Sequence, residues 1–234
     1  MNKKLALEEK FKFKCVLLGA SGAGKSSIVL RYISDRFDPY STPTIGAAFN
    51  CKKIVTDHGL VTMEVWDTAG QERFESLIPL YYKKADIVII VFDTTNQETY
   101  KKAQAWVKRI KHELEYSPIF ILIGNKIDLE GRSIATETAK SYANSVEATY
   151  IECSAKTGAN VENAFIIGCN HAIQKILTNK RKDVRIDISD ETSGTINLES
   201  PGSAWSVSSC FGSLIYYPMY MFRGKKTEPN DTEV

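Results

Sequence analysis

The chain has 234 residues, with 30 basic and 28 acidic side chains and a formal net charge of +2. That balance excludes nucleic-acid binding driven by electrostatics alone, so no nucleic-acid partner is expected, and the length fits one domain of roughly 100–200 residues with a remainder. The cysteines, at 15, 51, 153, 169 and 210, form no Cys-x-x-Cys pair and are odd in number, so buried, reduced thiols of a cytosolic protein are expected rather than a disulfide framework.

The N-terminus (Asn2, Lys3, Lys4, Glu8, Glu9) is polar and lacks the apolar core of a signal peptide, and Asn2 occupies the position where N-myristoylation needs Gly. Residues 11–18 alternate and then turn continuously apolar, as a strand running into a covered sheet does. The run Gly19-Ala20-Ser21-Gly22-Ala23-Gly24-Lys25-Ser26 follows, and fits the phosphate-binding pattern G-x-x-x-x-G-K-[ST]. Behind it Ile28, Val29, Tyr32 and Ile33 recur at helical spacing, so the motif has the strand–turn–helix context it needs. Glycines let successive backbone N–H groups point inward around phosphates, and the helix adds its positive end. Lys25 can then reach the β- and γ-phosphates, and the Ser26 hydroxyl can ligate Mg²⁺.

Residues 48–56 and 61–67 are β-rich and flank Asp57-His58-Gly59, which predicts a hairpin. Residues 87–93 and 119–125 are apolar runs suited to central strands, and 149–153 is a shorter one. Residues 97–114, 136–144 and 161–180 have helical periodicity. In the last, Val161, Ala164, Phe165, Ile167, Ala172, Ile173 and Ile176 make the apolar stripe. The alternation predicts an α/β fold: a mostly parallel sheet, helices on both faces and one antiparallel edge strand. Such sheets bind ligands at the carboxyl ends of their strands, so the functional residues belong just after each strand.

They stand there. Asp67 ends the third strand, placed to hold Mg²⁺ through a water or through Ser26. Gly70 offers an unobstructed backbone N–H to a γ-phosphate, and Gln71 can orient an attacking water. After the fifth strand comes Gly124-Asn125-Lys126-Ile127-Asp128. The Asp128 carboxylate can accept from guanine N1–H and the exocyclic amine; adenine has no N1–H, and an unpaired carboxylate would oppose it. That argues against an ATP-using kinase. Asn125 and Lys126 can brace the loop, and after the sixth strand the Ala155 N–H of Ser154-Ala155-Lys156 could meet guanine O6.

With GASGAGKSS, PTIG, WDTAGQE, GNKID and CSAK in this order, the chain resembles small GTPases of the Ras superfamily over roughly residues 11–178. Within it, Thr44-Ile45-Gly46-Ala47-Ala48-Phe49, Trp66–Phe74 and Leu80-Tyr81-Tyr82-Lys83 resemble the Rab family, and Ser76-Leu77-Ile78-Pro79-Leu80-Tyr81-Tyr82 with the Ile-Gly-Ala-Ala-Phe string its early-endosomal branch. The resemblance implies a P-loop NTPase fold, three-layer αβα around a six-stranded sheet, over a domain of residues 11–182 behind a short extension, 1–10. It implies GTP or GDP as ligand and substrate, with Mg²⁺. Gly19, Ser21, Gly22, Ala23, Gly24, Lys25, Ser26 and Ser27 would form the phosphate site, and Asn125, Lys126, Asp128, Ser154, Ala155 and Lys156 the base site. Ser26, Thr44 and Asp67 would serve the metal, and Gln71, Lys25 and Thr44 catalysis. Thr44 would close the first switch and Gly70 anchor the second. Phe49, Trp66 and Tyr81 match the aromatic triad that meets effectors, although aromatics on strands are usually core. Phe37 could cover the nucleotide or pack locally. An exchange factor, a GTPase-activating protein and effectors are the implied partners, at the cytosolic face of endosomal or vesicle membranes.

No arginine in cis is evident, and Arg73 is expected to pair with an acidic side chain of the second switch. Intrinsic hydrolysis is therefore expected to be slow, on the order of 10⁻⁴ to 10⁻³ per second, until a protein inserts the missing groups. Intact Thr44, Asp67 and Gln71 favour a cycling switch over the alternative, a non-cycling guanine-nucleotide-binding module.

Residues 183–234 lose periodicity and read as a flexible tail. The resemblance implies geranylgeranylated C-terminal cysteines, but Cys210 is the last cysteine before Pro229-Asn230-Asp231-Thr232-Glu233-Val234, so prenylation is not carried over. Residues 204–222 are uncharged and rich in aromatics, with Pro218 interrupting them. Two readings stand: interfacial membrane contact, with Cys210 a candidate for acylation, or a loose apolar tail that packs on the domain or reflects an altered transcript end. Thr232-Glu233-Val234 also fits the Thr-x-Val pattern read by PDZ domains.

Overall fold

A computed structural model describes residues 9–189 of the chain. β1 (Glu9–Gly19) leads into α1 (Lys25–Ser34), and β2 (Ala47–Thr56) and β3 (Gly59–Thr68) form the hairpin. A 3-10 turn (Glu72–Leu77) and the short α2 (Ile78–Tyr82) precede β4 (Ile87–Asp93). α3 (Gln97–Glu113), β5 (Ile119–Asn125), α4 (Thr136–Ser145), β6 (Thr149–Glu152) and α5 (Val161–Ser189) complete the order.

The six strands lie in the order β2-β3-β1-β4-β5-β6. All pairs are parallel except β2 with β3, where Thr56 faces Gly59 across the turn. The expected mostly parallel sheet with an antiparallel edge strand is therefore what forms. The chain leaves β1 toward β3 on one side and toward β4 on the other, so the strand order reverses there and a crevice opens at the carboxyl ends.

Side chains alternate across β1, which is why the sheet has two cores. Cys15 and Leu17 point to the layer of α1 and α5, where Ile28, Tyr32, Phe165 and Ile173 are buried. Val16 and Leu18 point to the opposite layer, with Tyr82, Tyr100, Val107, Ile110 and Ala139. Every residue of β4 is buried, as a strand covered on both faces requires.

One expectation is extended, one is corrected, and one element was not foreseen. In α5 the buried face is Val161, Ala164, Phe165, Cys169, Ala172 and Ile173, while Ile167 and Ile176 are half-buried. The spacing i, i+3, i+4, i+8, i+11 and i+12 is one helix face, and Ile167 and Ile176 pack against the same core less deeply. Cys51 is exposed, unlike Cys15, Cys153 and Cys169, because it shares the outward face of the edge strand β2 with Phe49, Lys53 and Val55. The 3-10 turn and α2 carry no helical period long enough to read; Pro79 in the first turn of α2 and the buried Ile78 and Tyr82 hold it.

Among the described residues no helix is long and apolar enough to cross a membrane. The tail segment 204–222, Cys210 and Thr232-Glu233-Val234 lie outside the described residues.

Candidate functional site

A cavity of about 500 Å³ opens at the carboxyl ends of the strands. Ser21, Gly22, Gly24, Lys25, Ser26 and Ser27 form its floor, and Asn125, Lys126, Asp128, Ala155 and Lys156 one end. Phe37, Thr44 and Gly70 close other sides. Residues read from three separate stretches of sequence thus meet in one cavity. Gly19, Ala23, Asp67 and Ser154 are buried behind this lining, and Gln71 stands outside it at the start of the 3-10 turn.

The phosphate loop depends on close approach. Gly24 is left-handed at φ 95, and a Cβ there would meet the Asn125 side-chain amide. Lys25, 5% exposed, opens α1 and donates from Nζ to the carbonyls of Gly19 (3.0 Å) and Ala20 (2.9 Å). Burial pulls its ammonium down to about 8, against the attraction of Asp67. Burial likewise pushes the Asp67 carboxyl up, opposed by Ser26, Lys25 and Thr44. A cation and an anion both strained toward neutrality mark a site organised for charged ligands.

Three oxygen donors converge beside Lys25. The Ser26 and Thr44 hydroxyls share a 2.5 Å hydrogen bond, and Thr44 Oγ1 donates to Asp67 Oδ2 at 3.4 Å. Asp67 Oδ1 is buried without a hydrogen-bond partner. Hydroxyl and carboxylate oxygens suit a hard divalent cation, and the unpartnered Oδ1 is the atom that such an ion or its water would satisfy. The residues present therefore fit Mg²⁺.

The base end is braced by side chains. Asn125, 1% exposed, donates from Nδ2 to the Ala23 carbonyl at 2.9 Å and accepts at Oδ1 from the Ala155 N–H at 3.1 Å. The Ala155 amide, expected on guanine O6, donates here to Asn125. Ser154 Oγ donates to Asp128 Oδ1 at 2.6 Å, fixing a carboxylate that lines this end of the cavity. Lys126, left-handed at φ 67, pairs with Asp93 at 2.7 Å. Asp93 is a residue that sequence reading missed, although it ends β4 as Asp67 ends β3. Burial pushes its carboxyl up, but Lys126 and the Thr95 N–H and hydroxyl outweigh that and hold it below its ordinary range.

Beyond the cavity, Phe49 faces Trp66 across the hairpin, with ring centroids 5.1 Å apart, and Trp66 lies 5.8 Å from Tyr81. Phe49 is 52% exposed, whereas Trp66 and Tyr81 are half-buried against the core. Phe37 both lines the cavity and packs on the core beneath it. Among the described residues Arg73 has no acidic partner of the kind expected: its guanidinium lies over the Phe74 ring, 4.9 Å from the centroid.

The family model for the Ras family matches residues 14–176. The GTP-binding protein YPT53 of Saccharomyces cerevisiae is 42% identical over 172 residues, which cover 70% of this chain and 78% of the relative. The Ras-related protein RABF2a of Arabidopsis thaliana is 39% identical over 198 residues, 84% of this chain and 94% of the relative. A family match running from within β1 to within α5 takes in every strand end that borders the cavity, and on it the chain belongs to the Ras family as a Rab-type small GTPase, which binds guanine nucleotide and hydrolyses GTP.

Proposed function

We propose that the chain is a GTP/GDP-regulated switch of vesicle and endosomal membrane trafficking, recruiting effectors when GTP is bound. One observation carries the reading: residues of two separate loops converge on the phosphate loop. Thr44 is hydrogen-bonded to Ser26, and Gly70 lies so close that a Cβ there would stand 2.5 Å from the Ser21 amide nitrogen. A γ-phosphate bound there would touch both, and its loss would release both. The two-contact logic makes residues 37–44 and 70–82 the surfaces for exchange factor, activating protein and effectors, with Phe49, Trp66 and Tyr81 beside them. The switch domain takes in α5 through Ser189, and the chain beyond that helix supplies the membrane contact.

Hydrolysis at this site is a matter of position and charge. Lys25 and the amides of the phosphate loop neutralise the β- and γ-phosphates. Ser26 and Thr44, with Asp67 behind them, would hold Mg²⁺, which when bound supplies further neutralisation of the phosphate oxygens. Gln71, at the start of the 3-10 turn, is the residue to orient the attacking water. Asp128, held by Ser154, selects guanine.

Single-turnover phosphate release from purified, GTP-loaded protein tests the reading. Slow turnover that drops a further tenfold or so in Gln71→Leu is expected, a loss of transition-state stabilisation. Turnover indistinguishable from that of Gln71→Leu would instead favour a non-cycling binding module, which Gln71's place outside the cavity lining would suit.

A further inference from the structure

Arg31 lies on α1, outside the cavity lining and outside every motif of the chain. Its guanidinium nevertheless reaches two chain segments on which the cavity depends. Nε donates to the Ala155 carbonyl at 3.0 Å and Nη2 to the Lys156 carbonyl at 2.7 Å. Nη1 donates to the Asp35 carbonyl at 2.8 Å and to Asp35 Oδ1 at 3.0 Å. A planar fork with five N–H groups reaches three carbonyls spread along its edges, which a single ammonium point does not match in geometry.

The side chain of Arg31 is 17% exposed and that of Asp35 92%, so the carboxylate contact adds little and the carbonyl contacts matter. Asp35 is also left-handed at φ 53, and its N–H caps the Arg31 carbonyl at 2.9 Å. The chain leaves that cap directly for Phe37, Thr44 and the rest of the cavity wall. At the other end of the same helix stand Lys25 and Ser26. One rigid element therefore carries the phosphate contacts at its start, and near its end a fork that grips both the base loop and the root of the first switch.

We propose that Arg31 is a positioning residue that sets the lifetime of bound guanine nucleotide by locking the base loop at 154–156 to the root of the first switch. Neither segment swings away from the nucleotide without breaking charge-assisted bonds to this one side chain. The inference rests on the guanine-nucleotide reading of the cavity.

The test is release of a fluorescent GDP analogue from the full chain, alongside single-turnover hydrolysis of bound GTP. Arg31→Ala is expected to release GDP at least about tenfold faster, with hydrolysis changing far less. Arg31→Lys, which keeps the charge but not the fork, is expected to fall between Arg31→Ala and wild type. Release within twofold of wild type in both variants overturns the proposal. So does a parallel fall in hydrolysis and melting temperature in both, which marks a merely structural role. If Arg31→Ala fails to fold, Arg31→Lys is read by the same criteria. Failure of wild type to retain GDP would instead overturn the nucleotide reading itself.

Discussion

Asn125 and Ala23 are joined across 102 positions of sequence by a 2.9 Å hydrogen bond from Nδ2 to the backbone carbonyl. The base loop and the phosphate loop are thereby one structure. Asn125 also takes the Ala155 N–H, so Asn125→Ala strands a buried carbonyl and a buried amide together. Each stranded group costs about 1–3 kcal/mol. A lower melting temperature and GDP release at least about tenfold faster are expected, read by chase of a fluorescent GDP analogue. Wild-type release from a folded Asn125→Ala would refute the brace.

Gly70 makes a steric prediction. A Cβ there would stand 2.5 Å from the Ser21 nitrogen and 2.6 Å from the Ala20 carbonyl carbon, both backbone atoms. Backbone gives way far less cheaply than a side-chain tip, so Gly70→Ala forces the second switch off the phosphate loop. GTP hydrolysis is expected to fall by about tenfold or more while GDP is retained, since only the γ-phosphate end is disturbed. Phosphate release under single-turnover conditions measures it, and an unaltered rate would count against the contact.

The local features of this molecule were open to reading and the tertiary ones were not. Strand ends stood out because apolar runs stop abruptly at Asp67, Asp93 and Asn125, and a parallel sheet puts its ligands there. The hairpin followed from Asp57-His58-Gly59, and the edge strand with it. Asp93 went unread because its role needs Lys126, a partner that only the pairing of β4 with β5 brings near. Arg31 went unread for the same reason: its acceptors are carbonyls, and carbonyls have no sequence signature. Cys51 was misread because strand membership was legible but the outward face of an edge strand was not. α2 was missed because five residues carry too little period, and Ile78 and Tyr82 are fixed by the core they enter.

Asp93 and Lys126 predict an acid dependence. The Asp93 carboxyl is held below its ordinary value of 3.8, so the unfolded chain binds its proton first as pH falls. Its contribution is therefore fully present above that value and is lost as pH drops through the lower, folded value. Asp93→Asn is expected to be less stable than wild type at pH 7, by about 1–2 kcal/mol. The gap should narrow below pH 3.8 as wild type loses the interaction. Urea titrations at pH 7 and at stepped acidic pH measure it; a constant gap would remove the carboxylate from the account.

The cysteines should separate cleanly by reactivity. Burial pushes the Cys153 thiol up to about 12 and Cys169 to about 11, and raises Cys15 further still. A thiol so buried supplies almost no thiolate at neutral pH. In a Cys210→Ser background, brief maleimide treatment of the native protein is expected to modify Cys51, with the other three reacting only after unfolding. Mass mapping of the modified peptides decides it, and native labelling of Cys153 or Cys169 would contradict the packing under α5.

Phe49 and Trp66 touch across the hairpin, yet stability should treat them differently. Trp66 is half-buried, lies against Tyr81 and has the Lys14 ammonium 5.5 Å from its ring centroid. Trp66→Ala empties that contact and is expected to cost about 2–4 kcal/mol. Phe49 leaves half its surface in solvent, so Phe49→Ala is expected to cost less than about 1 kcal/mol. Urea denaturation of the GDP-bound protein measures both, and equal losses would make Phe49 part of the core. A half-exposed large aromatic beside the segments that carry Thr44 and Gly70 is the kind of side chain that partner surfaces use. The same Phe49→Ala protein should therefore keep its nucleotide kinetics and lose GTP-dependent capture of effectors.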